Sequence, residues 1–210
     1  MERSTFTADQ ARESLERSLR ALRSERIDIW LLHEVGAQDL ADDGLLRLLE
    51  DMVANGTIGS FGVGSEAARV ETLLRLRPAY CQTLQYEWSV LDSKVPQTDA
   101  FRIHHRALTN NFRSLHTALI SRPATCKRWS QAVGLDLAAA ETLGSLMLRA
   151  SLLMNPESII LFSSKRAKHV QSNVATAVNP ALEIPAAILY ELVLAEKNEL
   201  LMAANALEQR

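Results

Sequence analysis

Ile27-Asp28-Ile29-Trp30-Leu31-Leu32-His33 is the stretch on which the fold turns: a short, nearly continuous apolar run that ends abruptly in a histidine. A run of this kind suits a strand covered on both faces, as in a parallel sheet. A helix precedes it. Thr7 followed by Gln10 resembles a capping box, and Ala11, Leu15, Leu19 and Leu22 then repeat at helical spacing, with Arg12, Glu16, Arg20 and Arg23 on the other face.

Downstream the alternation continues. Asp42 or Asp43 can cap a helix carrying Leu45, Leu49, Met52 and Val53, which Asn55-Gly56 stops. A second strand is read at Ile58 to Val63, a turn at Gly64-Ser65, a helix from Glu66 to Leu76, and a third strand from Cys81 to Tyr86. A weaker strand spans Phe101 to His104, with a helix around Phe112 to Leu119. A long helix is predicted from Leu135 to Met154, a clear strand from Ser158 to Phe162, and a helix from Lys168 to Val178. After Pro180 and Pro185 the chain ends in one more helix, an appendage over the body. Helices alternating with short apolar strands imply βα repeats on a parallel sheet, hence an α/β fold. Five strands are read here, whereas a (β/α)8 barrel has eight strands in about 250 residues.

Composition sets outer limits. The 210 residues suffice for one substantial core, and are 47% apolar and 23% charged. A net charge of -2 gives no reason to expect nucleic acid or an anionic membrane as partner. The N-terminal MERSTFTADQ lacks the apolar core of a signal peptide. The apolar stretch from Ile184 to Ala206 is broken by Glu191, Glu196, Lys197 and Glu199, whereas a spanning helix needs about 20 mostly apolar residues. Two cysteines, Cys81 and Cys126, form no disulfide framework, so a soluble protein in the reducing cytoplasm is expected.

In βα barrels the functional face is the C-terminal end of the strands. The residues at those ends are His33, Gly64-Ser65, Gln85-Tyr86, His104-His105 and Ser163-Ser164-Lys165, so polar groups gather on one rim. A zinc site built from His104, His105, His116 and Cys126 has no recognised ligand spacing, and no metal is expected.

These segments resemble one family. Ile27 to His33 is similar to the aldo-keto reductase strand that ends in an active-site histidine, and Ser14 to Leu22 resembles the family's S-L-x-x-S-L-x-x-L helix. Leu48-Leu49-Glu50 through Gly56 to Val63 resembles the passage leading to G-V-S-N, and Leu84-Gln85-Tyr86 the strand whose glutamine faces the nicotinamide amide. Ile159 to Ser164, with His169 and Asn173, resembles the last strand and the phosphate-binding helix. The motifs run in order from Thr7 to Val178.

The resemblance implies a partial (β/α)8 barrel, roughly strands 4 to 8 with their helices, over residues 1–180, plus a C-terminal helical extension over 181–210. It implies NADPH-dependent reduction of an aldehyde or ketone by hydride transfer. In the family a tyrosine is the proton donor, helped by a lysine and an aspartate, because a phenol of pKa about 10 needs neighbouring charge to act near neutrality. His33 would be the catalytic histidine, donating a hydrogen bond to the developing alkoxide. Ser65 stands where the family has an asparagine holding the carboxamide, and Gln85 where it has its glutamine. Ser163, Ser164, Lys165, His169 and Asn173 would grip the 2′-phosphate and adenosine, with His169 where the family usually has an arginine. His104-His105 fall where an aromatic residue stacks on the nicotinamide.

The family's tyrosine, lysine and aspartate lie on its first three βα units, and this chain opens just before the fourth. Tyr80, Tyr86 and Tyr190 sit in no D-x-A-x-x-Y setting. The expectation is therefore a truncated, inactive reductase with two open sheet edges available for self-association. The alternatives are a non-catalytic nucleotide-binding or interaction protein, and an unrelated barrel enzyme that binds sugar phosphates.

Overall fold

The computed structural model describes residues 6–92 and 98–208. The chain divides into two compact units, residues 1–86 with 96–103, and residues 87–95 with 104–210. The strand order is β1-β2-β3-β4-β5, each strand following the last in chain order.

In the first unit, α1 (Ala8–Leu22) starts as predicted: Thr7 Oγ1 accepts from the Gln10 N–H at 3.4 Å. It ends on Arg23, whose φ of 52° closes the last turn. Ala11 and Leu15 are buried, but Leu22, expected on the same face, is 63% exposed. β1 (Ile27–His33) and β2 (Ile58–Gly64) are parallel, paired from Ile27 against Ile58 to His33 against Gly64. Between them runs α2 (Asp43–Ala54), which Asp42 caps through its carboxylate on the Gly44 N–H at 2.8 Å. α3 (Ala67–Leu76) leads to β3 (Thr83–Glu87), which pairs parallel with β2, Gly62 facing Thr83 and Gly64 facing Gln85.

β1 corrects one expectation. Only Leu32 is fully buried in it, while Ile27, Ile29, Trp30 and Leu31 are half-buried. The cause is its position: β1 stands at the end of the strand order and, among the described residues, pairs on one side only. The inner strand β2 is the better buried, with Ile58 and then Phe61 through Gly64 fully buried. β2 approaches its neighbours through glycines. A Cβ on Gly59 would lie 2.5 Å from the Asp28 carbonyl oxygen, and one on Gly62 only 1.8 Å from that of Thr83. Neither oxygen can yield without moving a strand.

β4 (Phe101–His105) begins in the first unit, where the Phe101 N–H donates to the Gln82 carbonyl at 3.1 Å. The rest of the second unit is mostly helical: α4 (Thr109–Ile120), α5 (Pro123–Val133), α6 (Ala140–Met154), α7 (Ala167–Ala177) and α8 (Glu183–Glu208), with β5 (Ser158–Ile160) before α7. Its core joins Leu115 and Leu119 of α4, Trp129 of α5, Leu143, Leu146 and Met147 of α6, and Ala186, Leu189 and Val193 of α8. Glu196 of α8 accepts from both Arg128 and Trp129 Nε1, and the Arg128 guanidinium holds its carboxyl below the usual carboxylate range. Among the described residues no single helix is long and apolar enough to cross a membrane.

Three local readings change here. α5 was not anticipated, although Pro123 in its first turn and Gly134 at φ 76° beyond its end are the usual punctuation. The predicted helix from Leu135 starts only at Ala140, because Asp136 accepts from the Ala138 N–H at 2.9 Å and Ser130 Oγ from the Leu137 N–H at 3.0 Å. β5 covers three residues rather than five, and Ile159, Leu161 and Phe162 are each more than two-fifths exposed. As with β1, β5 closes the strand order and, among the described residues, is held on one side, by Leu161 N–H donating to the His104 carbonyl at 2.7 Å.

The glycine contacts predict opposite outcomes for two substitutions. Gly62→Ala should lose about 3 kcal/mol or more, since its methyl overlaps a backbone oxygen. Gly144→Ala, inside α6 with only Phe112 ring carbons 3.7 Å and 3.9 Å away, should gain about 1 kcal/mol from helix propensity. Urea unfolding of the two variants measures both, and equal midpoints would refute the close β2–β3 approach.

Candidate functional site

Parallel pairing sets the first cluster. His33 faces Gly64, and Gly64 faces Gln85, so the ends of β1, β2 and β3 form one row. A Cβ on Gly64 would lie 3.5 Å from Gln85 Oε1 and 3.7 Å from His33 Cδ2, which places the glycine between the two side chains. The backbone just beyond is tied down. The Glu34 N–H donates to the Gly64 carbonyl at 2.6 Å, with Glu34 at φ 54°, and the Ser65 N–H donates to the Gln85 carbonyl at 3.0 Å. Ser65 Oγ is buried and finds no hydrogen-bond partner among the described residues.

His33 is exposed on the wall of a 1220 Å³ cleft lined also by Arg17 of α1, Trp30 and Leu31 of β1, Glu34, and Arg69 of α3. No tyrosine is among its lining residues. Tyr80 donates its hydroxyl to the Asp42 carbonyl at 3.1 Å, and burial raises its pKa. Tyr86 is fully buried within β3, and burial raises its pKa too, with Arg102 acting in the opposite direction. Cys81 is buried, which pushes its thiol up to about 11 and leaves little thiolate at neutral pH.

The second unit carries a separate cleft of 860 Å³. Ser163 and Ser164 line it from the loop after β5, and Lys168, His169 and Asn173 from the first turns of α7. Ser164 Oγ accepts from the Arg166 N–H at 3.1 Å, which shapes the entry into the helix. The starts of α4 and α6 face the same cleft through Thr109, Ala140 and Glu141. Among the described residues none of these three helices has a side chain capping its first turn, which leaves the start of each without a side-chain acceptor, the arrangement that suits an anion.

Four of the five residues assigned to the phosphate grip therefore share one cleft, while Lys165 is exposed and does not line it. The two histidines at the end of β4 separate. His104 is fully buried with its ring 5.7 Å from that of Trp88, whereas His105 lines the cleft. His116 stacks on Phe112 and bonds the Ala138 carbonyl, and Cys126 is in the helical core, so the zinc set is not assembled. Among the described residues no group of three or more His, Cys, Asp or Glu is placed to hold a metal ion. Sequence reasoning missed Arg106 and Glu141, both on the cleft wall. A basic residue directly after the paired histidines was the available signal for the first.

The sequence profile of the Aldo/keto reductase family matches residues 1–120. No curated protein gives a match. Among solved structures, the chain is similar to the glycerol dehydrogenase AKR11B4 from Gluconobacter oxydans, at 19% identity and a TM-score of 0.63, over 93% of this chain and 66% of that one. It is similar to the aldo-keto reductase AKR11C1 from Bacillus halodurans in its holo form, at 16% identity and a TM-score of 0.62, over 89% and 67%. A thermostable aldo-keto reductase, Tm1743, matches at 16% identity and a TM-score of 0.58, over 91% and 67%. The likeness shows the fold, a partial (β/α)8 barrel, and the chain spans about two thirds of the length of these proteins.

The lone Ser65 hydroxyl gives a test of the row. An unpaired buried hydroxyl costs about 1–3 kcal/mol, so Ser65→Ala should leave stability unchanged or raise it by up to about 1 kcal/mol. A clear loss in urea unfolding would mean that the hydroxyl already has a partner in the free protein.

Proposed function

Because the chain belongs to the aldo-keto reductase family, we propose that it is the cofactor-holding part of an oxidoreductase that reduces an aldehyde or ketone with NADPH. The observation that carries this reading is the cleft in the second unit, where Ser163, Ser164, His169 and Asn173 meet the open start of α7. Hydroxyls, unpaired N–H groups and a positive helix end are what a phosphate monoester binds. Lys168 adds a cation there.

The first unit, taken by itself, offers groups that suit a nicotinamide carboxamide. Gln85 offers an amide, and Ser65 a buried hydroxyl with no partner among the described residues, as the two holders of a carboxamide. The missing side chain at Gly64 leaves the space between Gln85 and His33 open. When bound, the nicotinamide supplies a hydride. His33 donates a hydrogen bond to the carbonyl oxygen as negative charge develops on it.

The remaining proton is the difficulty. In the family it comes from a tyrosine tuned by a lysine and an aspartate, and the tyrosines of this chain do not supply it. Tyr80 is bonded to the Asp42 carbonyl, Tyr86 is buried in β3, and Tyr190 is half-buried on α8 with a raised pKa. The 210 residues by themselves are expected to bind NADPH and to turn it over negligibly. The two cysteines, both buried and unpaired, fit a cytoplasmic setting.

Titration of NADPH fluorescence tests this directly. Binding is expected, weakened about tenfold or more by His169→Ala or Asn173→Ala, as for loss of a hydrogen bond to a charged group. Lys165→Ala, off the cleft, should bind nearly as the parent does. Absence of binding refutes the reading, and steady NADPH consumption with an aldehyde, lost in His33→Ala, refutes the expected inactivity.

A further inference from the structure

β4 ends at His105, and the next residue turns the chain through a φ of 59°. That residue is Arg106, and a left-handed backbone is costly for a side chain of its kind. Arg106 lines the second unit's cleft. Its guanidinium meets Glu87, Nη1 to Oε1, at 2.5 Å. The same carboxylate oxygen is 3.8 Å from His105 Nε2. Glu87 is not itself a lining residue of the cleft. One carboxylate that does not line the cleft therefore holds the guanidinium of a residue that does.

This pair is not a structural tie. The two side chains are 62% and 51% exposed, and an ion pair so open to water adds little to stability. It is readily exchanged for a better anion. A phosphate carries more charge than a carboxylate, and its oxygens match the fork of a guanidinium. The cations on this wall are Arg106, Lys168 and, when protonated, His105 and His169, and Glu141 at the start of α6 opposes them. Losing Arg106 would leave that balance close to neutral.

We propose that Arg106 grips an anionic group of the ligand in this cleft, and that Glu87 competes for the same guanidinium and so sets the affinity for a phosphorylated nucleotide. The proposal rests on the reading of the cleft as a nucleotide site. In the free protein Glu87 holds Arg106; in the complex a phosphate oxygen takes its place, while the starts of α4, α6 and α7 offer their N–H groups to the same cleft. The left-handed turn at Arg106 fixes where the side chain leaves the backbone, so the exchange needs only side-chain rotation.

The test uses the whole 210-residue chain, with Glu87→Gln, Arg106→Gln and the double variant, each checked for native circular dichroism. NADPH fluorescence gives the affinities, and inorganic pyrophosphate is titrated separately by calorimetry. Glu87→Gln should tighten NADPH about two- to fivefold, the scale of an exposed ion pair. Arg106→Gln should weaken it about tenfold, the scale of a hydrogen bond to charge. In the Arg106→Gln background the Glu87 substitution should have no effect, because its competitor is gone. NADPH binding that is indifferent to Arg106→Gln overturns the grip, and equal tightening by Glu87→Gln in both backgrounds overturns the competition. If the parent chain fails to bind NADPH, the nucleotide reading falls. Pyrophosphate then decides the grip alone: binding lost in Arg106→Gln upholds it, and binding unaffected or absent in the parent overturns it.

Discussion

In-register parallel pairing is the constraint on which the rest depends. Ile27 against Ile58 fixes the ladder, and six residues later it delivers His33 against Gly64, with Gly64 in turn against Gln85. Parallel strands all point the same way, so their last residues share an edge and the following helices start beyond that edge. The arrangement needs close backbones. Gly59 and Gly62 permit it, since any side chain there would meet a carbonyl of the adjacent strand. A one-residue slip would turn every side chain of the strand to the opposite face and remove His33 from the row. The row of strand ends and the sheet are thus held by the same contacts.

What the sequence revealed, and what it hid, follows from the range of the forces involved. Thr7 and Asp42 cap α1 and α2 through bonds within three residues, so both helix starts were legible. The strands β1 to β3 were legible because their apolar runs are bounded by turn residues. Burial was not. The run of β1 is more apolar than that of β2, yet β1 is half-exposed, because burial depends on what stands alongside, which periodicity does not record. α5 was hidden by its own composition, for Lys127, Arg128, Ser130 and Gln131 dilute the spacing of Cys126, Trp129 and Val133.

The candidate site divides in the same way. His33, Ser65 and Gln85 were legible as strand-end positions; the register sets His33 and Gln85 on either side of Gly64, and the Ser65 N–H bonds the Gln85 carbonyl. In the segment after β5, position along the chain did not separate Lys165 from its neighbours. The turn that Ser164 makes with Arg166 determines which side chains reach the cleft, and it selects Ser163, Ser164, His169 and Asn173. Likewise His104 and His105 are adjacent in sequence but point to opposite faces of β4, one into the core and one to the cleft.

Strand ends are also where the backbone is strained. Besides the helix cap Arg23, the non-glycine residues with positive φ among those described are Glu34 and Arg106. Each directly follows a strand that ends in histidine, His33 for β1 and His105 for β4. Such a conformation persists only when its surroundings impose it. At Glu34 the imposing contact is its N–H bond to the Gly64 carbonyl, which extends the β1–β2 ladder by one residue beyond the histidine. A left-handed residue reverses the chain within a single step, so the histidine before it stays on the last rung instead of trailing into a loop. The same geometry at Arg106 leaves His105 facing the cleft and sets the guanidinium beside it. Strain at these two exits keeps each histidine at a fixed position on the rim, which loop residues of ordinary conformation would not do.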